Sequence, residues 1–428
     1  MSALPEALAG LSTPAYVYEL SELDASHARL RSFLPAPSAL YYSLKANPHV
    51  RLVRRLRELG CRAEVSSTGE LSAAVEAGFA AGEVLYSGPA KRDEDLGTAL
   101  MCGVRHFSVD SPQGLQQLDA VAGRYRARAR YLLRVNAEQP VPGVGLAMTG
   151  VPSQFGADAG WIEADPGRFV GYRHLDLDGL HLYMATNLDS EDRLVEQFAI
   201  GIDAADRLQR RLGVPLLRLD LGGGFGAPYA RHGSLPGYPG LAGRLAALLT
   251  AAFPSWRAGV PEVVFESGRY LTATCGTLVT RVLDVKQSHG KRIVVVDSGI
   301  NHLGGMSGLR RVPQIHPDLA NPGATDGDVG EAGEAGEAGE AGEAMVTGPL
   351  CTPLDTWSRS GATPDFRAGD LAVIPNVGAY GLSASLALFL GHPMPTEVVT
   401  DGGQVVEATR LAVRRERTRL DSATAVLT

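Results

Sequence analysis

The feature that most constrains the fold is an alternation running from about residue 38 to residue 270. Short β-rich segments recur there: "ALYYSLKAN", "CRAEVSS", "VLYSGPA", "HFSVDS", "RYLLRVNA", "LDGLHLYMA", "LRLDLGGGF" and "EVVFESGRYL". Between them lie apolar repeats at helical spacing, such as "LVRRLRELG" and "DRLVEQFAIGIDAADRLQRRLG". Strands alternating with helices imply parallel βαβ units, and eight of them over roughly 230 residues match a (β/α)8 barrel. After about residue 271 the texture changes. "TLVTRVLDVKQSHGKRIVVVDSG", "DLAVIPNVGAYG" and "EVVTDGGQVVEATR" read as strands and turns with little helix. The expected fold class is therefore α/β: a (β/α)8 TIM-like barrel plus a second all-β barrel domain. The barrel is expected over residues 28–265 and the β-domain over 1–27 and 266–428, with "AYVYEL" near the N-terminus as one of its strands.

Composition narrows the function. Hydrophobic content of 45% and charged content of 20% suit a soluble globular chain. Of the formal net charge of −7, five acids belong to a Gly-Glu-Ala repeat at 330–344, so the folded body is near neutral at about −2. That balance predicts no nucleic-acid or membrane partner. The N-terminus lacks the basic start and apolar core of a secretion signal, and no apolar run is long enough to span a bilayer. Cys61, Cys102, Cys275 and Cys351 form no zinc-like pattern, so no metal site and a reducing cytoplasm are expected. The repeat, with five glycines and five like charges, predicts a solvated, disordered loop at about 322–345.

Three constellations carry chemistry. Only four of the 40 basic residues are lysines: Lys45, Lys91, Lys286 and Lys291. Lys45 ends the aromatic strand of "YYSLKAN", where partial desolvation would lower its pKa and free the amine for Schiff-base formation. Gly222, Gly223, Gly224 and Gly226 follow the seventh strand candidate, where backbone N–H groups can cradle an anion. A dinucleotide fold is the competing use of such glycines. It is disfavoured because Pro228 follows at once and the next acid after Asp220 is Glu262, too distant for a ribose contact. In "FESGRYL", Glu266 and Arg269 flank a Ser-Gly turn through Gly268 and offer one carboxylate and one guanidinium. A Schiff-base lysine, a phosphate cradle and a carboxylate for a pyridinium nitrogen are what pyridoxal 5'-phosphate requires.

With those residues in place, the chain resembles the fold-type III pyridoxal-phosphate decarboxylases, the group of ornithine, arginine and diaminopimelate decarboxylases. "YSLKAN", "EVSSTGEL", "LGGGFG", "ESGR", "GPLCTPLD" and "GAYG" occur in that family's order. The resemblance implies that Lys45 carries the cofactor, that Glu64 and Glu70 lie near it, and that Tyr380 reaches its phosphate. It also implies a homodimer with shared active sites, in which Cys351 from the neighbouring chain reprotonates the product.

Departures from the family pattern bear on the substrate. Tyr183, in "HLYMAT", stands where a histidine normally stacks on the cofactor, and Gln154 stands where lysine is usual. Thr352 follows Cys351 where diamine enzymes have an acid that pairs with the substrate's distal ammonium; Asp355, three residues on, is the candidate substitute. "GVPSQFG", "CTPLD" and "FLGHPMPTE" are similar to an antibiotic-pathway branch that acts on a glutamyl group carried by an acyl carrier protein. By that similarity Arg310 and Arg311 become candidate substrate or carrier contacts. The expected activity is decarboxylation of an amino-acid group without a distal ammonium, small or carrier-bound. Decarboxylation of a free L- or D-amino acid, racemisation, and non-catalytic cofactor binding are the alternatives.

Overall fold

The computed structural model describes residues 10–139, 149–304, 315–322 and 342–417. Arg310, Arg311 and most of the Gly-Glu-Ala repeat lie outside the described residues. Among the described residues, ten strands precede residue 268: β1 (Ala15–Glu19), β2 (Ala39–Ser43), β3 (Arg62–Val65), β4 (Val84–Tyr86), β5 (His106–Val109), β6 (Ala129–Asn136), β7 (Ala157–Asp158), β8 (Leu175–Leu182), β9 (Arg218–Asp220) and β10 (Glu262–Ser267). All eight expected strands are present. They pair in parallel in the order β5-β4-β3-β2-β10-β9-β8-β6, and β6 pairs back onto β5, closing a (β/α)8 barrel. The short β7 adds to β6 from outside the ring.

Local chemistry sets the helices between the strands. Ser67 caps the helix Thr68–Glu76 at Glu70 N, while Glu70 returns its carboxylate to Ser66 N at 2.7 Å. The helix Glu191–Leu212 stops at Gly213, whose φ of 69° is open to glycine. Inside the ring, Tyr41, Leu85, Leu132 and Val264 pack as a layer. Near the strand starts Arg218 lies 3.3 Å from Asp178 and 3.0 Å from Glu262, which Arg62 also meets at 2.7 Å. This ion-pair network lies at the N-terminal end of the barrel, opposite the cavity at the strand C-termini.

The second sheet comprises β11 (Gly276–Ser288), β12 (Lys291–Val296), β13 (Gly342–Thr347), β14 (Thr356–Thr363), β15 (Leu371–Ile374), β16 (Thr396–Asp401) and β17 (Gln404–Arg410), together with β1. β1 lies between β11 and β16, so the chain's N-terminal strand completes a sheet built from its C-terminal part. The expected boundaries at 27/28 and 265/266 fall inside the helix Leu20–Phe33 and inside β10. The last copy of the repeat also departs from expectation: Gly342, Glu343 and Ala344 belong to β13, and Ala344 is buried. Pairing with β12 and β14 supplies the order that composition lacks.

Candidate active site

The C-terminal ends of β2, β8, β9 and β10 converge on one cavity. Lys45, Tyr183, Gly224, Glu266, Gly268, Arg269 and Tyr380 line it. Each reaches it for a local reason. Lys45 sits in the 3-10 turn Leu44–Ala46 that ends β2, and Glu266 is the penultimate residue of β10. Gly268 is required by close packing: a Cβ there would stand 2.7 Å from Ala46 Cβ. Tyr380, at a φ of 55° that few side chains adopt, is pinned by its N–H donating to Ala46 O at 2.8 Å. Arg269 stacks its guanidinium 4.7 Å from the Tyr380 ring centroid.

Lys45 differs from expectation. Its ammonium lies 3.7 Å from Glu64 Oε2 and 5.7 Å from the centre of the Tyr183 ring. Glu64 raises its pKa well above the usual lysine range, and burial opposes this only in part. Burial pushes Glu64 upward in turn, but Lys45, Ser87 and Ser43 bring its carboxylate below the usual range. The lysine whose pKa burial does lower is Lys91, to about 8. Its amine is spent on Gly88 O and Ser108 O, at 2.6 and 2.7 Å.

The glycine loop is also narrower in role than the sequence suggests. Of the four glycines only Gly224 lines the cavity. Gly222 N donates to Asp220 Oδ1 at 2.9 Å, and Gly226 N donates to Leu188 O at 2.9 Å. A Cβ on Gly223 would stand 2.2 Å from Glu266 O. Gly222, Gly223 and Gly226 let the loop press against its neighbours, so that close approach accounts for them as much as anion binding does.

The segment 348–355, "GPLCTPLD", connects antiparallel β13 and β14. Cys351 is exposed and is not among the residues lining its own chain's cavity. Thr352 turns its hydroxyl to Leu354 N at 3.3 Å. Asp355 is not presented to a substrate: its buried carboxylate accepts from Ile300 N at 2.8 Å and Leu350 N at 2.7 Å. Gly299 and Gly348 make room for it, since a Cβ on either would collide with that carboxylate. Glu70, expected near the site, serves as the helix cap described above.

Sequence reasoning missed three buried groups at the base of the cavity. His181 at the end of β8, Asp220 at the end of β9 and Arg134 on β6 surround Glu266 and Glu64. Burial, then Asp220 and Glu64, push Glu266 well above the usual carboxylate range. Burial likewise holds Asp220 up at about 7. The only signal was polarity on strands whose neighbours are apolar, as in "LLRVN" and "LHL".

Residues 20–273 match the family described as pyridoxal-dependent decarboxylase, pyridoxal binding domain. The chain belongs to the pyridoxal-dependent decarboxylases, and it is a pyridoxal-phosphate-dependent carboxy-lyase acting on an amino-acid group. It is 31% identical to an L-glutamyl-(BtrI acyl-carrier protein) decarboxylase of Niallia circulans, over 91% of this chain and 89% of that one. It is 29% identical to the 2-((L-alanin-3-ylcarbamoyl)methyl)-2-hydroxybutanedioate decarboxylase of Staphylococcus aureus, over 89% and 92%. A crystal structure of Helicobacter pylori diaminopimelate decarboxylase complexed with L-lysine shares the fold, at 22% identity and a TM-score of 0.79 over 93% of this chain and 94% of that one. The racemase and non-catalytic alternatives are set aside by this membership.

The donor set fits the cofactor. The cavity offers an amine on Lys45, a carboxyl on Glu266 and a guanidinium on Arg269, with Gly224 and Gly268 leaving its walls open. Among the described residues Arg269 Nε, beside the cavity, is buried without a hydrogen-bond partner. An unpaired buried polar atom beside a cavity is what a polar occupant would complete.

Proposed function

We propose that this enzyme removes the α-carboxyl group, as CO2, from an amino-acid unit that has no free distal ammonium. The unit is carried on an acyl carrier protein, in a secondary-metabolite route of the antibiotic-biosynthesis type. The inward turn of Asp355 carries this reading. A diamine or diaminopimelate needs a free carboxylate opposite its far amine, but Thr352 has none and Asp355 is engaged by two backbone N–H groups. Two relatives support it through their names: one acts on a glutamyl unit joined to a carrier, the other on a unit whose far nitrogen is in an amide.

Lys45, Tyr183, Gly224, Glu266, Arg269 and Tyr380 would hold pyridoxal phosphate, with Lys45 anchoring its aldehyde carbon and Glu266 facing its ring nitrogen. When bound, the cofactor supplies an electron sink for the pair released as the bond to the carboxyl group breaks. Glu64 holds the Lys45 ammonium until the amine is needed. Arg269, steadied by Tyr380, would contribute positive charge for the cofactor's phosphate. Cys351, exposed and outside the lining of its own cavity, would reach the cavity of a second copy and return one proton to the α-carbon. A homodimer with shared active sites follows from that role.

The test is a panel of free amino acids and aminoacyl carrier proteins, read by mass spectrometry for loss of one CO2. Carrier-bound substrate should react, and free lysine and diaminopimelate should not. Turnover of diaminopimelate at a rate equal to that of the carrier-bound unit would overturn the assignment. Mixing inactive Lys45→Ala and Cys351→Ala chains should restore activity, because a mixed dimer contains one intact shared site; continued inactivity would refute the shared site.

A further inference from the structure

His181 on β8, Asp220 on β9 and Glu266 on β10 place one ligand-type atom each within 4.8 Å of one another. His181 Nε2 lies 3.4 Å from Glu266 Oε1, and the two side chains are 1% and 2% exposed. Among the described residues neither atom has a hydrogen-bond partner at standard geometry, and nor does Asp220 Oδ2. The far edge of the imidazole is held by Ser108 Oγ on β5, 2.7 Å from Nδ1. Burial, with Arg134 and Lys45 adding to it, keeps the ring neutral. With the serine hydroxyl donating to Nδ1, the ring's one proton sits on Nε2, 3.4 Å from Glu266 Oε1.

We propose that Ser108 and His181 form a positioning device for Glu266, in which the Nε2–H donates to Oε1 and keeps the other carboxyl oxygen as an acceptor directed at the cavity. This rests on the assignment of Glu266 to the cofactor's ring nitrogen. Glu266 has Asp220 and Glu64 as like-charged neighbours, and a buried carboxyl so crowded takes up a proton. A protonated carboxyl would present a donor to the ring nitrogen; the imidazole N–H stabilises the acceptor form. A divalent cation is the competing use of the same three atoms, but Arg134 and Lys45 place positive charge beside the cluster.

The experiment uses enzyme loaded with pyridoxal phosphate and two readouts: the visible absorbance spectrum of the bound cofactor and its dissociation constant. His181→Asn, which keeps only the Ser108 side, should weaken cofactor binding roughly tenfold and shift the visible band, whereas His181→Gln, whose amide reaches the Nε2 position, should stay within about twofold of the parent. In a Glu266→Gln background, His181→Asn should add nothing. Rescue by glutamine separates a lost hydrogen bond from lost packing. If Glu266→Gln changes neither readout, the ring-nitrogen assignment fails and the proposal fails with it. If Glu266→Gln changes both while His181→Asn acts equally with and without Glu266, only the proposal fails. Stoichiometric zinc bound by the parent and lost in His181→Asn would overturn it in favour of a metal site.

Discussion

Glu64 sets the protonation of Lys45, and removing its charge tests how the site is wired. The charged atoms are 3.7 Å apart. At that distance the attraction is about 1 kcal/mol in water and about 4.5 kcal/mol at an effective dielectric constant of about 20. Glu64 is 3% exposed but Lys45 is 41% exposed, so solvent screens one side of the pair. An intermediate value of about 2.5 kcal/mol corresponds to roughly two pK units. Glu64→Gln keeps the shape of the side chain and removes only the charge. The pKa of Lys45 should therefore fall by about two units in the apoenzyme. Competitive acetylation across pH, read by peptide mass spectrometry, measures this directly. With only four lysines in the chain, Lys286 and Lys291 serve as exposed references. Labelling of Lys45 should rise at a lower pH in the variant than in the parent. An unchanged or higher midpoint would refute Glu64 as the controlling partner.

Other outcomes follow from the same geometry. Asp355→Ala strands two buried N–H groups at about 1–3 kcal/mol each, so amide exchange in peptides containing Ile300 and Leu350 should accelerate roughly a hundredfold. The order of substrate preference should stay the same; a reordered panel with unchanged exchange would mean that Asp355 does meet substrate. Gly224→Ala places a Cβ 2.7 Å from Gln197 Nε2 at a φ of 109°, and should weaken cofactor binding about tenfold by titration; unchanged affinity would remove Gly224 from the cavity wall. Burial holds Asp220 at about 7 in the folded chain, whereas an unfolded aspartate titrates near about 4. The folded state thus keeps a proton that the unfolded state loses, and apoenzyme stability should fall as pH rises from about 4 to about 7. Asp220→Asn should reduce that slope in urea unfolding and leave the share of Glu266, and an unchanged slope would place the proton on another group.

The barrel was legible in the sequence because each of its strands and helices announces itself locally. The eight segments from "ALYYSLKAN" to "EVVFESGRYL" all became strands of the ring, and "AYVYEL" became the strand between β11 and β16. Lys45, Glu266 and Arg269 were legible for the same reason: a polar residue at the end of an apolar strand falls on the rim of a barrel. Their surroundings were not. The raised pKa of Lys45 depends on Glu64 from the next strand, and the acid cluster depends on β8, β9 and β10 lying side by side in register. Asp355 looked available beside Thr352, yet two glycines from separate segments open a pocket that draws it inward. The sequence by itself determined the order of strands and helices and which residues stand at strand ends, because periodicity is a property of neighbours in the chain. Only the tertiary structure decided which of those residues are charged, paired or enclosed, because burial and Coulomb energy depend on groups that closure of the barrel brings together from distant positions.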